Sequence, residues 1–205
     1  MDSEHSNAPN DPHDLSASHS HSHGHDQERA APLAAARETG SQAPHEPTAR
    51  PAIAPPDYGF PREAAGFLPW PFALELLEQT RIYWLATTYP DGRPHLAPLW
   101  GVWVEGVFYF DGGSSTRWAR NLAANPAAAM HLERGQAVVI VDGRADYVQL
   151  DARLSAKIVQ AWDTKYGRLH PKPVDDGIFR LRPRTARGWS TEDLTDGTRW
   201  QFDGA

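Results

Sequence analysis

Apolar and polar positions are distributed unevenly along this 205-residue chain. Residues 1–54 carry Ser, His, Ala, Pro and acidic side chains with almost no large apolar residue, whereas all eight tryptophans lie beyond Tyr58. A stretch so poor in apolar surface cannot offset its ordering entropy, which predicts a disordered tail over 1–54 and a folded domain over 55–205.

Within the domain the patterning predicts mostly strands. Pro69-Trp70-Pro71 leads into an amphipathic helix over Phe72–Gln79. Ile82–Thr88 is a β-branched and aromatic run closed by the turn Pro90-Asp91-Gly92-Arg93. His95–Val104 and Val107–Phe110 follow as strands around a tight turn at Glu105-Gly106. Glycines 112 and 113 then release the backbone, a helix starts near Ser115 or Thr116, and Asn125-Pro126 breaks it. Ala127–Leu132 and Ala137–Gln149 are two more strands, joined by Glu133-Arg134-Gly135. Asp151 caps a helix over Ala152–Tyr166, and Gly177–Arg182, Thr185–Trp189 and Thr198–Phe202 close the domain as short strands. Several strands, few helices and short turns predict a mainly β (α+β) fold, a small antiparallel barrel with helical decoration.

Composition narrows the function. With no cysteine, the chain has no disulfide, thiolate nucleophile or Cys-based zinc site. A net charge of −6 without a Lys/Arg block argues against nucleic acid as a partner. No apolar run approaches the roughly 20 residues of a membrane helix, and the start lacks the basic-then-apolar order of a signal peptide, so a cytoplasmic protein without a membrane partner is expected. The alternating imidazoles of His19-Ser20-His21-Ser22-His23-Gly24-His25 can gather nickel, zinc or copper, and a flexible polar tail accounts for them equally well.

Candidate chemistry concentrates in Asp111-Gly112-Gly113-Ser114-Ser115-Thr116-Arg117-Trp118-Ala119-Arg120-Asn121-Leu122. A Ser or Thr N-cap, free first-turn amides, the positive helix end and Arg117 and Arg120 together predict an anion site that suits phosphate; a capped helix with solvated arginines has the same local pattern. The loop is neither a P-loop nor a dinucleotide fingerprint. The strand before it is apolar on both faces, with Leu96, Pro98, Trp100, Val102 and Val104 on one and His95, Ala97, Leu99, Gly101 and Trp103 on the other. Pro98 cannot donate to a ladder, so part of this strand is an edge with unpaired backbone beside apolar walls. Such an edge fits a flat heteroaromatic ring, and equally a plain edge strand blunted by proline. His95, His131 and His170 are isolated in sequence and read as structural or surface residues. No catalytic side chain stands out.

Three ordered motifs carry a family resemblance: Trp84-Leu85-Ala86-Thr87 with Asp91-Gly92-Arg93-Pro94-His95; Pro98-Leu99-Trp100-Gly101-Val102-Trp103; and Thr116-Arg117-Trp118-Ala119-Arg120-Asn121-Leu122 with Asn125-Pro126. With Arg180-Leu181-Arg182-Pro183-Arg184, Gly188-Trp189 and Thr198-Arg199-Trp200-Gln201-Phe202, the chain over about 67–205 resembles the pyridoxamine 5'-phosphate oxidase-like flavin-binding split barrels, in particular their flavin- and deazaflavin-dependent oxidoreductase branch. The resemblance implies a six-stranded antiparallel split barrel with flanking helices, forming a homodimer with two cofactors at its interface. It implies FMN or coenzyme F-420 as cofactor and hydride transfer to a small-molecule substrate; relatives of the same fold also handle flavin, deazaflavin or haem without turnover. Carried onto this chain, Ala97, Pro98, Leu99 and Trp100 line the ring, Ser115, Thr116, Arg117, Arg120 and Asn121 lie at or near the phosphate, and Trp200 reaches the cofactor of the partner. Trp118 stands where many members have Lys, which leaves the phosphate charge to Arg117 and the amides or makes Trp118 a ring-stacking residue.

Overall fold

The computed structural model describes residues 36–37, 46–52, 67–132, 137–167, 171, 173, 177–191 and 196–203. In chain order these form β1 (Ala36–Arg37), β2 (Thr48–Pro51), α1 (Trp70–Gln79), β3 (Tyr83–Thr88), β4 (Pro94–Leu99), β5 (Gly101–Val104), β6 (Val107–Phe110), α2 (Arg117–Ala124), β7 (Ala127–Leu132), β8 (Ala137–Gln149), α3 (Ala152–Tyr166), β9 (Ile178–Ser190) and β10 (Thr198–Gln201). The hydrogen-bonded order is β2-β10-β9-β8-β7-β3-β4, with β5 attached through β6 to the first half of β9.

The expected strand His95–Val104 divides at Trp100. Its first half pairs with β3 up to Tyr83↔Leu99, and its second half pairs with β6 from Gly101↔Phe110. Because one bent strand serves two neighbours, β4/β5, β3, β7, β8, β9 and β6 make a six-stranded antiparallel ring. The ring is joined at one place by the chain itself rather than by a ladder, and this gap is the split of the barrel. Gly101 permits the bend: a Cβ there would lie 2.6 Å from the Tyr109 carbonyl oxygen. Glu105 and Gly106, both at positive φ, turn β5 into β6.

The segments Gly177–Arg182 and Thr185–Trp189 are one strand, β9, running antiparallel to β8. A register shift at Asp142/Gly143 opposite Pro183 accommodates the residue that cannot donate to the ladder. Gly143 is required at that crossing, since a Cβ would approach the Arg182 carbonyl oxygen to 2.1 Å.

The inner faces of the strands, with Trp70, Ala73 and Leu77 of α1 and Trp118, Ala119 and Leu122 of α2, form the barrel core around Tyr83, Phe108, Phe110 and Phe179. A second cluster packs Leu154, Ile158, Trp162 and Tyr166 of α3 over Val102, Tyr109, Val148 and Ile178 on the outside. The two apolar faces of the bent strand thus have different destinations: Leu99 and Trp103 enter the core, while Trp100 and Val102 lie under α3.

Two pieces of the stretch expected to be a disordered tail are strands: β2 pairs with β10, and β1 lies parallel to Val148–Gln149. Edge pairing uses main-chain donors and acceptors, so it requires no apolar residue and leaves no trace in hydropathy. The His19–His25 cluster and His170 lie outside the described residues.

Candidate functional site

Thr116 caps α2, its hydroxyl accepting from the Ala119 amide at 3.4 Å. Thr116 N–H closes the preceding turn onto Gly113 O at 3.0 Å, and Arg120 N–H bonds Thr116 O at 3.2 Å. The amides of Arg117 and Trp118 occupy first-turn positions, which have no intrahelical acceptor. Arg117, Arg120 and Ser115 are exposed around this end. The Gly101↔Phe110 register sets Asp111, the first residue of the loop, beside Trp100 at the bend. The N-terminus of α2 itself lies at the other end of β4, where Arg117 stands over Tyr89 of the β3–β4 turn.

β4 ends the sheet path, and among the described residues no strand covers its second edge. In an antiparallel pair every second residue turns its N–H and C=O away from the partner strand, so β4 offers a row of such groups, interrupted at Pro98. Leu96 and Pro98 are exposed on its outer face; Ala97 is half-buried and Leu99 buried. Trp100 stacks on Tyr166, with centroids 4.7 Å apart and planes 7° apart, which fixes it at the end of that edge.

A side-chain cluster links the β3–β4 hairpin to α2. Asn121 Nδ2 donates to Thr87 Oγ1 at 3.1 Å, and Thr87 Oγ1 lies 3.3 Å from His95 Nδ1. The Thr87 hydroxyl, one donor with two acceptor lone pairs, thus joins the Asn121 amide to the His95 ring. The Tyr89 ring stands 5.5 Å from that of His95, with the guanidinium carbons of Arg93 and Arg117 over it at 4.7 and 5.2 Å. Arg93 in turn holds Asp91 at 2.8 Å and lowers the pKa of its carboxyl group. The hairpin and the helix end thus present their cations around one tyrosine.

The structure sets Ala97, Pro98 and Leu99 on β4, with Trp100 just past its end stacked on Tyr166, and Ser115, Thr116, Arg117 and Arg120 at the start of α2, beside the β3–β4 turn through Arg117 and Tyr89. It sets three other expected residues elsewhere. Asn121 is 1 % exposed and works from beneath, through Thr87. Trp118 is buried between Phe110 and Phe179, at centroid distances of 5.4 and 4.7 Å, and does not present its ring at the split. Trp200 is buried within its own subunit, donating from Nε1 to Leu68 O at 3.1 Å and packing edge-on against Trp70. Thr87, Tyr89, Arg93 and His95 were not legible as site residues, because the hairpin meets α2 only in three dimensions; the Pro90–Arg93 turn signal was the one local hint.

The site chemistry admits a phosphorylated planar cofactor. The helix end supplies a hydroxyl, free amides and a guanidinium for a dianionic group, and the β4 edge supplies main-chain groups beside apolar surface for a ring. The Asn121 Oδ1 atom is buried without a hydrogen-bond partner, one more acceptor beneath the same helix. Among the described residues there is no group of three or more His, Asp or Glu side chains placed to hold a metal.

Comparison with known proteins gives the following. A family model described as pyridoxamine 5'-phosphate oxidase matches residues 70–190. A solved structure of a conserved hypothetical protein from Mycobacterium tuberculosis is 22 % identical, with a TM-score of 0.52, over 64 % of this chain and 89 % of that one. An F420 reductase is 28 % identical over 55 % of this chain and 93 % of that one, with a TM-score of 0.44. A pyridoxamine 5'-phosphate oxidase-related, FMN-binding protein from Nostoc punctiforme is 16 % identical over 62 % and 87 %, with a TM-score of 0.46. No curated protein matches the sequence.

Proposed function

The chain belongs to the pyridoxamine 5'-phosphate oxidase family, and from that premise we propose that it is an oxidoreductase holding a flavin or deazaflavin, FMN or coenzyme F-420, across the split of its barrel. The observation that carries this reading is the free edge of β4 with the capped, arginine-bearing N-terminus of α2 at its hairpin end, where Arg117 lies over Tyr89 and Asn121 is linked through Thr87 to His95. Thr116, Arg117 and the first-turn amides would hold the phosphate, and Ala97, Pro98, Leu99 and Trp100 would line the ring. The bound cofactor supplies a hydride carrier; the protein contributes position and electrostatics to the transfer to a small-molecule substrate. Tyr89 and the Asn121–Thr87–His95 chain keep Arg117 and the β4 edge in register.

A homodimer fits the same reading. On the outer sheet face, Leu96, Ala86 and Ala129 are neighbours in one row and Pro98, Trp84, His131 and Ile140 in the next. Leu96 is 52 % exposed there, a large apolar residue beside the proposed ring site that a second copy would cover.

The test is titration of the full-length protein with FMN and with coenzyme F-420, following cofactor fluorescence, with sedimentation analysis alongside. Saturable binding of one of them at about one per subunit, in a dimer, is the expected result and selects the cofactor. Failure of both to bind overturns the reading; uptake of haem instead would make the protein a binder of a different group.

A further inference from the structure

Two of the chain's three lysines line one cavity of about 420 Å3. Lys157 and Lys165 of α3 form one side, Val102 and Trp103 of β5 an apolar wall, and Glu78 of α1 brings a carboxyl group. The volume is that of a small-molecule pocket.

The two amines differ in their partners. Lys157 is ion-paired with Glu105. Lys165 has no carboxylate within ion-pair distance among the described residues; its Nζ donates to the Tyr83 hydroxyl and, at 3.2 Å, to Gly101 O. The Tyr83 proton is itself engaged by Leu77 O. Gly101 is fixed from the other side as well, its N–H donating to the Tyr166 hydroxyl at 3.0 Å. These two acceptors hold two of the N–H groups of Nζ, which also lies 4.7 Å from the Tyr83 ring centroid, and Lys165 is left lining the cavity. The titratable and charged groups around Nζ are Glu78 on α1, Arg81 beyond it, Tyr83 on β3 and Tyr166 on α3. Burial pulls Lys165 down to about 7, Glu78 opposing and Arg81 assisting.

We propose that this cavity binds a small carbonyl compound, an aldehyde or ketone, which Lys165 captures as a Schiff base. Nζ adds to the carbonyl carbon, and the amine proton passes to the oxygen to give a carbinolamine. The C–O bond then breaks, water leaves and the C=N bond forms, with no net oxidation or reduction. Glu78 is the cavity's carboxyl group for moving those protons. Val102 and Trp103 favour an apolar body on the ligand. The site does not depend on the cofactor reading: Lys165 grips Gly101, past the bend, rather than β4 or α2.

The test is to incubate the full-length protein with benzaldehyde at pH 7, trap any iminium with cyanoborohydride as a stable benzylamine, and map the product by peptide mass spectrometry. The three lysines of the sequence fall in separate positions that peptide mapping distinguishes. The expected result is an adduct on Lys165 forming roughly tenfold or more faster than on Lys157 or Lys172, since Lys165 lines the cavity with two of its N–H groups already held by Tyr83 and Gly101. Lys157→Met leaves the Lys165 adduct in place, and Lys165→Met abolishes it. The wild-type map decides alone should Lys165→Met fold poorly. Labelling of Lys165 no faster than of Lys172, or no Lys165 adduct at all, overturns the proposal.

Discussion

Asn121 Nδ2 and Thr87 Oγ1, 3.1 Å apart, tie the second turn of α2 to the end of β3. Both residues are buried, so this bond sets the height of the helix over the barrel end and, through Thr87, the ring of His95. Asn121→Ala leaves the Thr87 hydroxyl without its donor and opens a small void. The expected loss is about 1–3 kcal/mol of stability, read from urea denaturation. Affinity for FMN or coenzyme F-420 should fall as well, since the helix end carrying Arg117 loses its register. Unchanged affinity in the folded variant would separate Asn121 from the cofactor site.

Thr116 and Arg117 are neighbours with different expected signatures. Arg117 is exposed, so Arg117→Ala should leave stability within about 0.5 kcal/mol of the wild type. Loss of a charge-assisted contact should nevertheless weaken phosphate-bearing cofactors about ten- to a hundredfold. Thr116→Ala removes the cap as well as the proposed phosphate donor, so it should cost about 1 kcal/mol of stability in addition to affinity. Paired melting and titration measurements distinguish the two patterns; equal effects on stability would refute the assignment of Arg117 to the ligand.

The ionisable cluster around Gly101 predicts how stability follows pH. Lys165 sits at about 7 in the fold against an ordinary 10.5, so across that window the unfolded chain binds the extra proton. Its unfavourable contribution is complete below pH 7 and fades as pH rises toward 10.5. Tyr83 and Tyr166 act in the opposite sense. Burial raises both, Tyr166 to about 12, so above pH 10 the unfolded chain loses protons first and stability falls. Denaturation midpoints should therefore climb from pH 7 toward 10 and drop beyond it. In Lys165→Met the climb should disappear while the alkaline drop remains.

Local chemistry made much of this fold readable. Ala127–Leu132, Ala137–Gln149 and the Asp151-capped helix Ala152–Tyr166 have the expected bounds, because alternation, a turn and an N-cap each act within a few residues. The division of His95–Val104 at Trp100 was not readable, since it depends on which strands lie on either side. β9 was hidden for the converse reason: Pro183 resembles a terminus unless the bulge opposite Gly143 is seen. In the site, the cap and arginines of α2 were legible and the Tyr89–Arg93–His95 side was not. Lys165 was silent in the sequence, because its setting is made by Tyr83, Gly101 and Tyr166, 64 to 82 positions apart at the bonded pairs.

Trp118 gives the sharpest test of how this chain departs from the resemblance that its motifs suggest. Many proteins with this pattern carry Lys at the equivalent place, which invites the expectation that Trp118→Lys would restore a phosphate contact. The packing argues otherwise. Trp118 is 7 % exposed, lies edge-on to Phe179, and fills the space against Gly112, where a Cβ would come within 2.6 Å of the indole. A lysine there would lose most of an aromatic ring's burial, about 3–5 kcal/mol by the usual cost of such truncations, and would have to draw an ammonium past Phe110 to reach solvent. Trp118→Lys should therefore melt well below the wild type and bind FMN or coenzyme F-420 no more tightly. Calorimetry and the same fluorescence titration would check both halves. A variant that kept its stability and gained affinity would mean that the helix end can turn Trp118 outward, and that Phe110 and Phe179 do not hold it.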